Sequence, residues 1–144
     1  MIYIAYPLFL YKDNKKKYIN DQDIYINLVK QKFPNEDYLL PYSRQTRTEI
    51  AEKLKCDLKE ISGEFMQDLK PIISRCDKIM LFPTKENYIG LGMYWEILIA
   101  KKFNVNVLIY NENIQKFTDS FKIEDIKNNI YGMESHIFYK KIVF

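Results

Sequence analysis

The sequence is poor in the residues that hold metals or form disulfides. It has one histidine and two cysteines, Cys56 and Cys76, among 144 residues. The two cysteines are too far apart for a Cys-x-x-Cys redox motif, and a single histidine gives no zinc spacing. We therefore expect no metal site, and we expect both cysteines to be buried thiols.

Long hydrophobic runs and strong charge are also missing. No apolar stretch approaches the roughly 20 residues that cross a bilayer, and residues 2–5 look like a strand rather than a basic leader. We therefore expect a cytoplasmic protein without a membrane partner. The net charge of +3 is too mild for a nucleic-acid-binding face, so no nucleic-acid partner is expected. A solvated loop is the interpretation of the lysine cluster formed by Lys12, Lys15, Lys16 and Lys17.

Glycine is scarce as well, and its placement is informative. Two of the four glycines, Gly90 and Gly92, lie in the segment 84–93. This segment follows an apolar run at 79–82 that predicts a strand, and it precedes a predicted helix at 94–103 and a second predicted strand at 105–110. Ligands of such strand–loop–helix units bind beyond the carboxyl ends of the strands, and glycines let the backbone approach them closely. The segment is therefore a predicted ligand loop.

Two carboxylates stand in predicted apolar surroundings. Glu96 lies in the first turn of the helix predicted at 94–103. A carboxylate there either complements the helix dipole, which is worth about 0.3–1 kcal/mol, or serves a ligand site, and the spacing alone leaves both open. Asp68 shares one face of an earlier predicted helix with Phe65 and Ile72, so it must find a partner or shift its pKa.

The alternation of predicted strands and helices indicates one domain, residues 1–144, with an α/β fold. We expect a three-layer sandwich with a small parallel sheet of about four to five strands. A kink or break is predicted at Pro71, no strand at 111–119, and weak helical spacing at 121–130. The aromatic run 136–144 is predicted to form an edge strand or to pack on another subunit, with His136 as a polar residue at its rim.

Several segments together resemble the nucleoside 2-deoxyribosyltransferase family. The opening IYIAYPLF is similar to the family's IYLAGPLF, with Tyr6 at the glycine, and DKIML at 77–81 resembles its central strand. GMYWEI at 92–97, with Ala100, is similar to the family's G-T-A-W-E-[IL]-G-Y-A signature and puts Glu96 at the position of the nucleophile. A second alignment, on GLGM at 90–93, puts Tyr94 there instead. The resemblance covers roughly residues 1–110.

The resemblance implies a Rossmann- or flavodoxin-like sheet and a 2-deoxyribosyl transfer between nucleobases through a covalent intermediate on Glu96. It implies that Asp68 protonates the departing base. The other residues implied at the substrate site are Tyr6, Phe9, Asp77, Gly90, Gly92 and Tyr94, with Tyr6 and Phe9 in the base pocket and Tyr94 orienting Glu96. It implies no metal or cofactor, a nucleoside or nucleotide as small-molecule partner, and a homo-oligomer whose C-terminal tail reaches a neighbour.

Two alternatives remain open. The first is a hydrolase of deoxynucleoside monophosphates, in which Lys15 to Lys17 or Arg44 would hold the phosphate. The second is a binding module that senses a nucleotide-derived ligand without turnover. It is favoured by Leu98 and Ile99, which replace small residues after the signature glutamate, and by Asn87 or Tyr88, which replaces the acid before the glycines.

Overall fold

The computed structural model describes residues 1–7, 15–42, 44–125 and 139–144. Within these ranges four α-helices and eight β-strands follow in the order β1 (Ile2–Ala5), α1 (Lys15–Lys32), β2 (Tyr38–Leu39), α2 (Arg47–Leu54), α3 (Phe65–Ile73), β3 (Lys78–Leu81), β4 (Tyr88–Gly90), α4 (Leu91–Lys102), β5 (Asn106–Asn111), β6 (Lys116–Thr118), β7 (Lys122–Asp125) and β8 (Tyr139–Val143). Phe9 and His136 lie outside the described residues. In the described ranges, no helix is both long enough and apolar enough to cross a membrane.

The main sheet has five strands in the order β2-β1-β3-β5-β6. The first four strands are parallel, and β6 pairs antiparallel with β5. The predicted α/β class is therefore confirmed, but the sheet is mixed and mostly parallel where a parallel sheet was predicted. The prediction of no strand at 111–119 is wrong, because a tight turn with Gln115 at φ 51° returns the chain onto β5 and the Phe117 ring contacts that of Tyr110 at 5.1 Å.

Helices cover both faces of this sheet. Successive side chains of a strand point to opposite faces, so Ile2, Ile4, Met80 and Phe82 meet α1 through its buried Ile26 and Val29. On the other face, Tyr3, Ala5, Ile79 and Leu81 meet the buried side chains of α2, α3 and α4. Because both faces are covered, β1 and β3 look like continuous apolar runs in the sequence, as expected for buried parallel strands.

A second, antiparallel sheet lies beside α4, with strand order β4-β8-β7. The weak helix predicted at 121–130 is wrong for residues 122–125, which form β7. Phe121 and Ile123 pack against the core and alternate with exposed charged residues, which is the period of a strand. The tail was predicted to form an edge strand or to pack on another subunit. The edge strand is wrong, because β8 is the middle strand of this sheet and its Ile142 is fully buried.

Helix α3 runs from Phe65 to Ile73 and contains Pro71 without interruption. Of the two alternatives predicted at this proline, a kink or a break, the break is therefore wrong. Its buried residues Leu69, Ile72 and Ile73 belong to the core beneath the sheet. Pro71 has no backbone N–H to donate within the helix, and for that reason the sequence predicted a break. The packing of these residues in the core stabilises the helix despite the missing hydrogen bond.

Candidate functional site

A cavity of about 280 Å³ lies where the carboxyl ends of the strands meet helices α3 and α4. In the main sheet β1 has β2 on one side and β3 on the other, so the order of the strands reverses at β1. Open α/β sheets bind ligands at such a reversal, beyond the carboxyl ends of the strands. The lining residues come from the ends of β1 and β2, the start of α3, and the junction of β4 with α4. They are Tyr6, Pro7, Pro41, Phe65, Met66, Gly90, Leu91, Gly92, Met93 and Glu96.

Among the described residues that line this cavity, Glu96 alone carries a carboxyl group, and its side chain is 3% exposed. Helix α4 begins at Leu91, three residues earlier than predicted, with Gly90 as its N-cap. Glu96 is therefore in the second turn, and the first turn holds no acidic residue. Because helix-dipole stabilisation falls off within the first turn, it does not explain this carboxylate. That interpretation of Glu96 is corrected here.

The two oxygens of Glu96 differ in their contacts. Its Oε2 has no hydrogen-bond partner among the described residues, whereas the hydroxyl of Tyr3 donates a hydrogen bond to the carboxyl group. Burial raises the pKa of Glu96 to about 8, and the hydrogen bond from Tyr3 opposes part of this shift. Near neutral pH the group is therefore mostly a neutral carboxylic acid, with one oxygen left for a ligand.

Tyr3 is a site residue that the sequence analysis missed. It sits in β1 and is 2% exposed, and burial together with the neighbouring Glu96 carboxyl raises its pKa well above the ordinary value. A buried tyrosine usually hydrogen-bonds through its hydroxyl. A tyrosine in a strand buried on both faces was therefore the available signal, although the sequence does not identify its partner.

Asp68 is not suited to the predicted role of proton donor. Its carboxylate accepts hydrogen bonds from the Tyr42 hydroxyl, the backbone N–H of Ser62 at 2.8 Å, the Ser62 hydroxyl at 3.0 Å and the backbone N–H of Gly63 at 2.7 Å. Burial acts to raise the pKa of Asp68, but these donors outweigh it and hold the pKa below the ordinary value. Asp68 is also absent from the lining of the Glu96 cavity. It is an anion that fastens the loop before α3 to that helix.

We expect Asp68→Asn to destabilise the protein by about 2 kcal/mol, because four donors would lose a charged acceptor. Release of a nucleobase from a 2′-deoxynucleoside, the activity that the resemblance implies, should in contrast change less than threefold at a temperature where the variant is folded. Urea unfolding and a chromatographic base-release assay measure the two effects, with the exposed Asp119→Asn as control. A large loss of activity in a fully folded Asp68→Asn variant would instead show that Asp68 protonates the departing base.

The resemblance implied Asp77 at the substrate site, but Asp77 lies at the amino-terminal ends of the strands. It immediately precedes β3, whereas the cavity is beyond the carboxyl ends of the strands. Its carboxylate pairs with the amino group of Met1 at 2.6 Å, and this hydrogen bond lowers the pKa of Asp77. Asp77 is therefore at the amino-terminal ends of the parallel strands and Glu96 at their carboxyl ends, so the fold does not bring the two residues together.

The remaining predicted residues divide into two groups. Tyr6, Gly90 and Gly92 line the cavity with Glu96. Gly92 lies beside α3, since a Cβ placed there would make an ordinary van der Waals contact with Cε1 of Phe65 at 3.4 Å. Tyr94 is not in the lining. The centroid of its ring lies 6.5 Å from that of Trp95, and the Nζ of Lys140 lies over the Tyr94 ring, 4.8 Å from its centroid. The hydroxyl that donates to Glu96 is that of Tyr3.

Fold and site together describe an α/β protein with a buried carboxylic acid in the wall of a ligand-sized cavity. Within the described ranges, no group of three His, Cys, Asp or Glu side chains is arranged to hold a metal ion. The chain matches no family model, no curated protein and no solved structure.

Proposed function

We propose that the protein cleaves the N-glycosidic bond of a 2′-deoxynucleoside and transfers the 2-deoxyribosyl group to a second nucleobase. The observation that carries the proposal is the carboxyl group of Glu96, buried in the cavity wall with one oxygen unpartnered among the described residues. The resemblance of 92–97 to the signature of nucleoside 2-deoxyribosyltransferases supports the same residue as the nucleophile.

The proposed reaction has two displacements at the anomeric carbon. As the bond to the base breaks, positive charge develops on the sugar, and the Glu96 carboxylate bonds to the anomeric carbon. The base leaves with the bonding electron pair and takes up a proton from solvent. A second base, or water, then attacks the same carbon, loses a proton and releases Glu96 as a carboxylate.

The protonation state of Glu96 determines whether the first displacement can occur. Attack requires the ionised form of Glu96, whose pKa is about 8 because the group is buried. The hydrogen bond from Tyr3 favours that ionised form and fixes the orientation of the carboxyl group. The Tyr6 side chain lines the cavity, and we assign it a hydrogen bond to the departing base.

The strand order supports the finer fold assignment that the resemblance implies. Parallel strands in the order β2-β1-β3-β5 follow the flavodoxin-like pattern, in which the ligand crevice lies between the first and third strands. Helix α1 on one face, with α2 to α4 on the other, fits the same doubly wound arrangement. We therefore propose a Rossmann- or flavodoxin-like sheet that presents the Glu96 cavity at its reversal of strand order.

A homo-oligomer is part of the proposal. Leu91, Trp95 and Leu98 are spaced to share one face of α4 and are 44%, 42% and 37% exposed. Leu91 also lines the Glu96 cavity, as does the exposed Met66 of α3. An apolar face that continues into the rim of the cavity supports a second copy of the chain packing beside the site.

The binding module is the second candidate, because one observation favours it. A neutral Glu96 with an unpartnered oxygen is a good hydrogen-bonding group for a ligand, even without turnover. The monophosphate hydrolase has weaker support. The guanidinium of Arg44 already donates to Gln22 at 2.8 Å and Asp23 at 3.1 Å, so binding a phosphate would require it to exchange these partners.

The test is chromatographic and uses the whole chain. The protein is incubated with 2′-deoxyinosine and free adenine, and the products are separated. Hypoxanthine together with 2′-deoxyadenosine establishes transfer, whereas hypoxanthine alone means hydrolysis. If neither appears, the same assay with 2′-deoxyinosine monophosphate tests the hydrolase, and saturable binding without any base release decides for the binding module.

We expect Tyr3→Phe to lower kcat/KM by about tenfold to a hundredfold, because it removes one hydrogen bond to the ionised nucleophile. It should also move the rising limb of the pH profile to higher pH, since the lost bond favours ionisation of Glu96. Tyr38→Phe is the matched control, with a partly exposed ring on β2. A reduced rate with an unmoved pH profile would show that Tyr3 only packs in the core.

A further inference from the structure

A second and larger cavity, of about 530 Å³, lies on the other face of the main sheet. It is bounded by one side of α1, the loop between β3 and β4, and the end of β5 with its turn into β6. Among the residues that the structure describes, this cavity and the Glu96 cavity have no lining residue in common. Its volume is in the range of small-molecule sites, and it also lies at the carboxyl ends of parallel strands, where α/β sheets bind ligands.

The floor of this cavity is aromatic. Tyr25 stacks on Phe82 with ring centroids 4.3 Å apart and an interplanar angle of 18°. Tyr110 packs against Phe82 at 5.5 Å and against Phe117 at 5.1 Å. Phe82 is 1% exposed, but Tyr25 and Tyr110 are only partly buried and line the cavity. Tyrosine rings that pack against neighbouring rings and also line a cavity offer a stacking surface for a flat ligand.

The rim carries both signs of charge. The lining includes the ammonium groups of Lys17 and Lys85 and the carboxylates of Asp21, Glu86 and Glu112. A phosphate site normally uses arginine forks or a row of backbone N–H groups, and three carboxylates would oppose a phosphate. An organic cation would be opposed by the two lysines. Mixed donors and acceptors around an aromatic floor instead suit an uncharged ring that carries both kinds of hydrogen-bonding group.

We propose that this cavity is a second ligand site, which binds an uncharged flat nitrogen heterocycle such as a free nucleobase by stacking on Tyr25 and Tyr110. The proposal does not depend on the reaction assigned to Glu96, because the two cavities have separate linings. It holds equally for an enzyme and for a binding module.

The probe is adenine, which is uncharged at neutral pH. The full-length ¹⁵N-labelled protein is titrated with adenine, and the amide chemical shifts are measured by NMR. We expect saturable shifts at Lys85, Glu86 and Glu112, with a dissociation constant distinct from that of any shifts at Leu91 and Met93 beside Glu96. Shifts confined to the Glu96 cavity, or no saturable shifts up to the solubility of adenine, would overturn the second site. Benzamidine and inorganic phosphate serve as charged probes, and stronger binding of either one would overturn the uncharged class.

The variant Tyr110→Leu keeps an apolar side chain and removes the stacking face. It should raise the dissociation constant at this cavity about tenfold or more and leave the shifts beside Glu96 unchanged. Tyr38→Leu is the matched control and should bind adenine as the original chain does. Unchanged affinity in a folded Tyr110→Leu contradicts the stacking site. If that variant does not fold, the location of the shifts in the original chain decides the question alone.

Discussion

Glu96→Gln is expected to lower kcat/KM for base release from 2′-deoxyinosine at least about a thousandfold, the scale on which loss of a nucleophile acts. Glutamine has nearly the same shape, and its amide oxygen can accept the hydrogen bond from Tyr3, so the cavity should remain intact. It cannot form the covalent intermediate with the sugar. Chromatography of the released base measures the rate, and titration with the substrate checks that binding persists.

The matched control is Glu52→Gln, an exposed carboxylate on α2. It should retain full activity. In the original chain, kcat/KM should rise about tenfold per pH unit below pH 8 and level off above it, because the attacking form of Glu96 is the ionised one. A rate that falls over this range would make Glu96 a general acid instead. If the Glu96→Gln variant keeps most of its activity, Glu96 is not the nucleophile of the reaction.

The parts of the fold that the sequence predicted are those with a strong local signal. Runs of buried apolar residues that are ended by proline or glycine mark β1 and β3, and helix formers between two such runs mark α4. The short strands β6, β7 and β8 were missed or misassigned. They are three to five residues long, and β8 pairs with β4, about 50 positions earlier in the chain. Pairing over such a distance leaves no periodic pattern in a short window.

The candidate site was predicted in part for a similar reason. Glu96 and Gly92 stand out because each breaks a local rule, a carboxylate in an apolar helix and a glycine near a helix start. Asp68 and Asp77 were assigned through the resemblance, and the groups that satisfy them come from elsewhere in the chain: Tyr42 and the loop at 62–63 for Asp68, and the amino group of Met1 for Asp77. Tyr3 was overlooked because a tyrosine in an apolar strand looks like ordinary core.

The buried acid has a consequence for stability that needs no substrate to observe. In the unfolded chain Glu96 should ionise near its ordinary pKa of 4.5, whereas in the folded protein burial raises the pKa to about 8. Below pH 4.5 the group is neutral in both states and contributes no difference. Between these two values the unfolded state gains free energy by ionising while the folded state does not, so stability falls as the pH rises and then levels off. A protein retains such a group where function requires it.

We therefore expect Glu96→Gln to be about as stable as the original chain at pH 5 and more stable at pH 8, by on the order of 4 kcal/mol. Urea unfolding at pH 5, 6, 7 and 8 measures the difference, with Glu52→Gln as the control that should follow the original chain. The window separates Glu96 from Asp37, Asp68 and Asp77, whose lowered pKa values act on the acid side, and from Tyr3 and Cys76, whose raised values act on the alkaline side. Parallel stability curves for the two proteins would mean that Glu96 reaches water in solution, and the cavity would then hold an ordinary carboxylate at neutral pH. A divergence that grows toward pH 8 would establish the buried acid on which both the transfer reaction and the binding module depend.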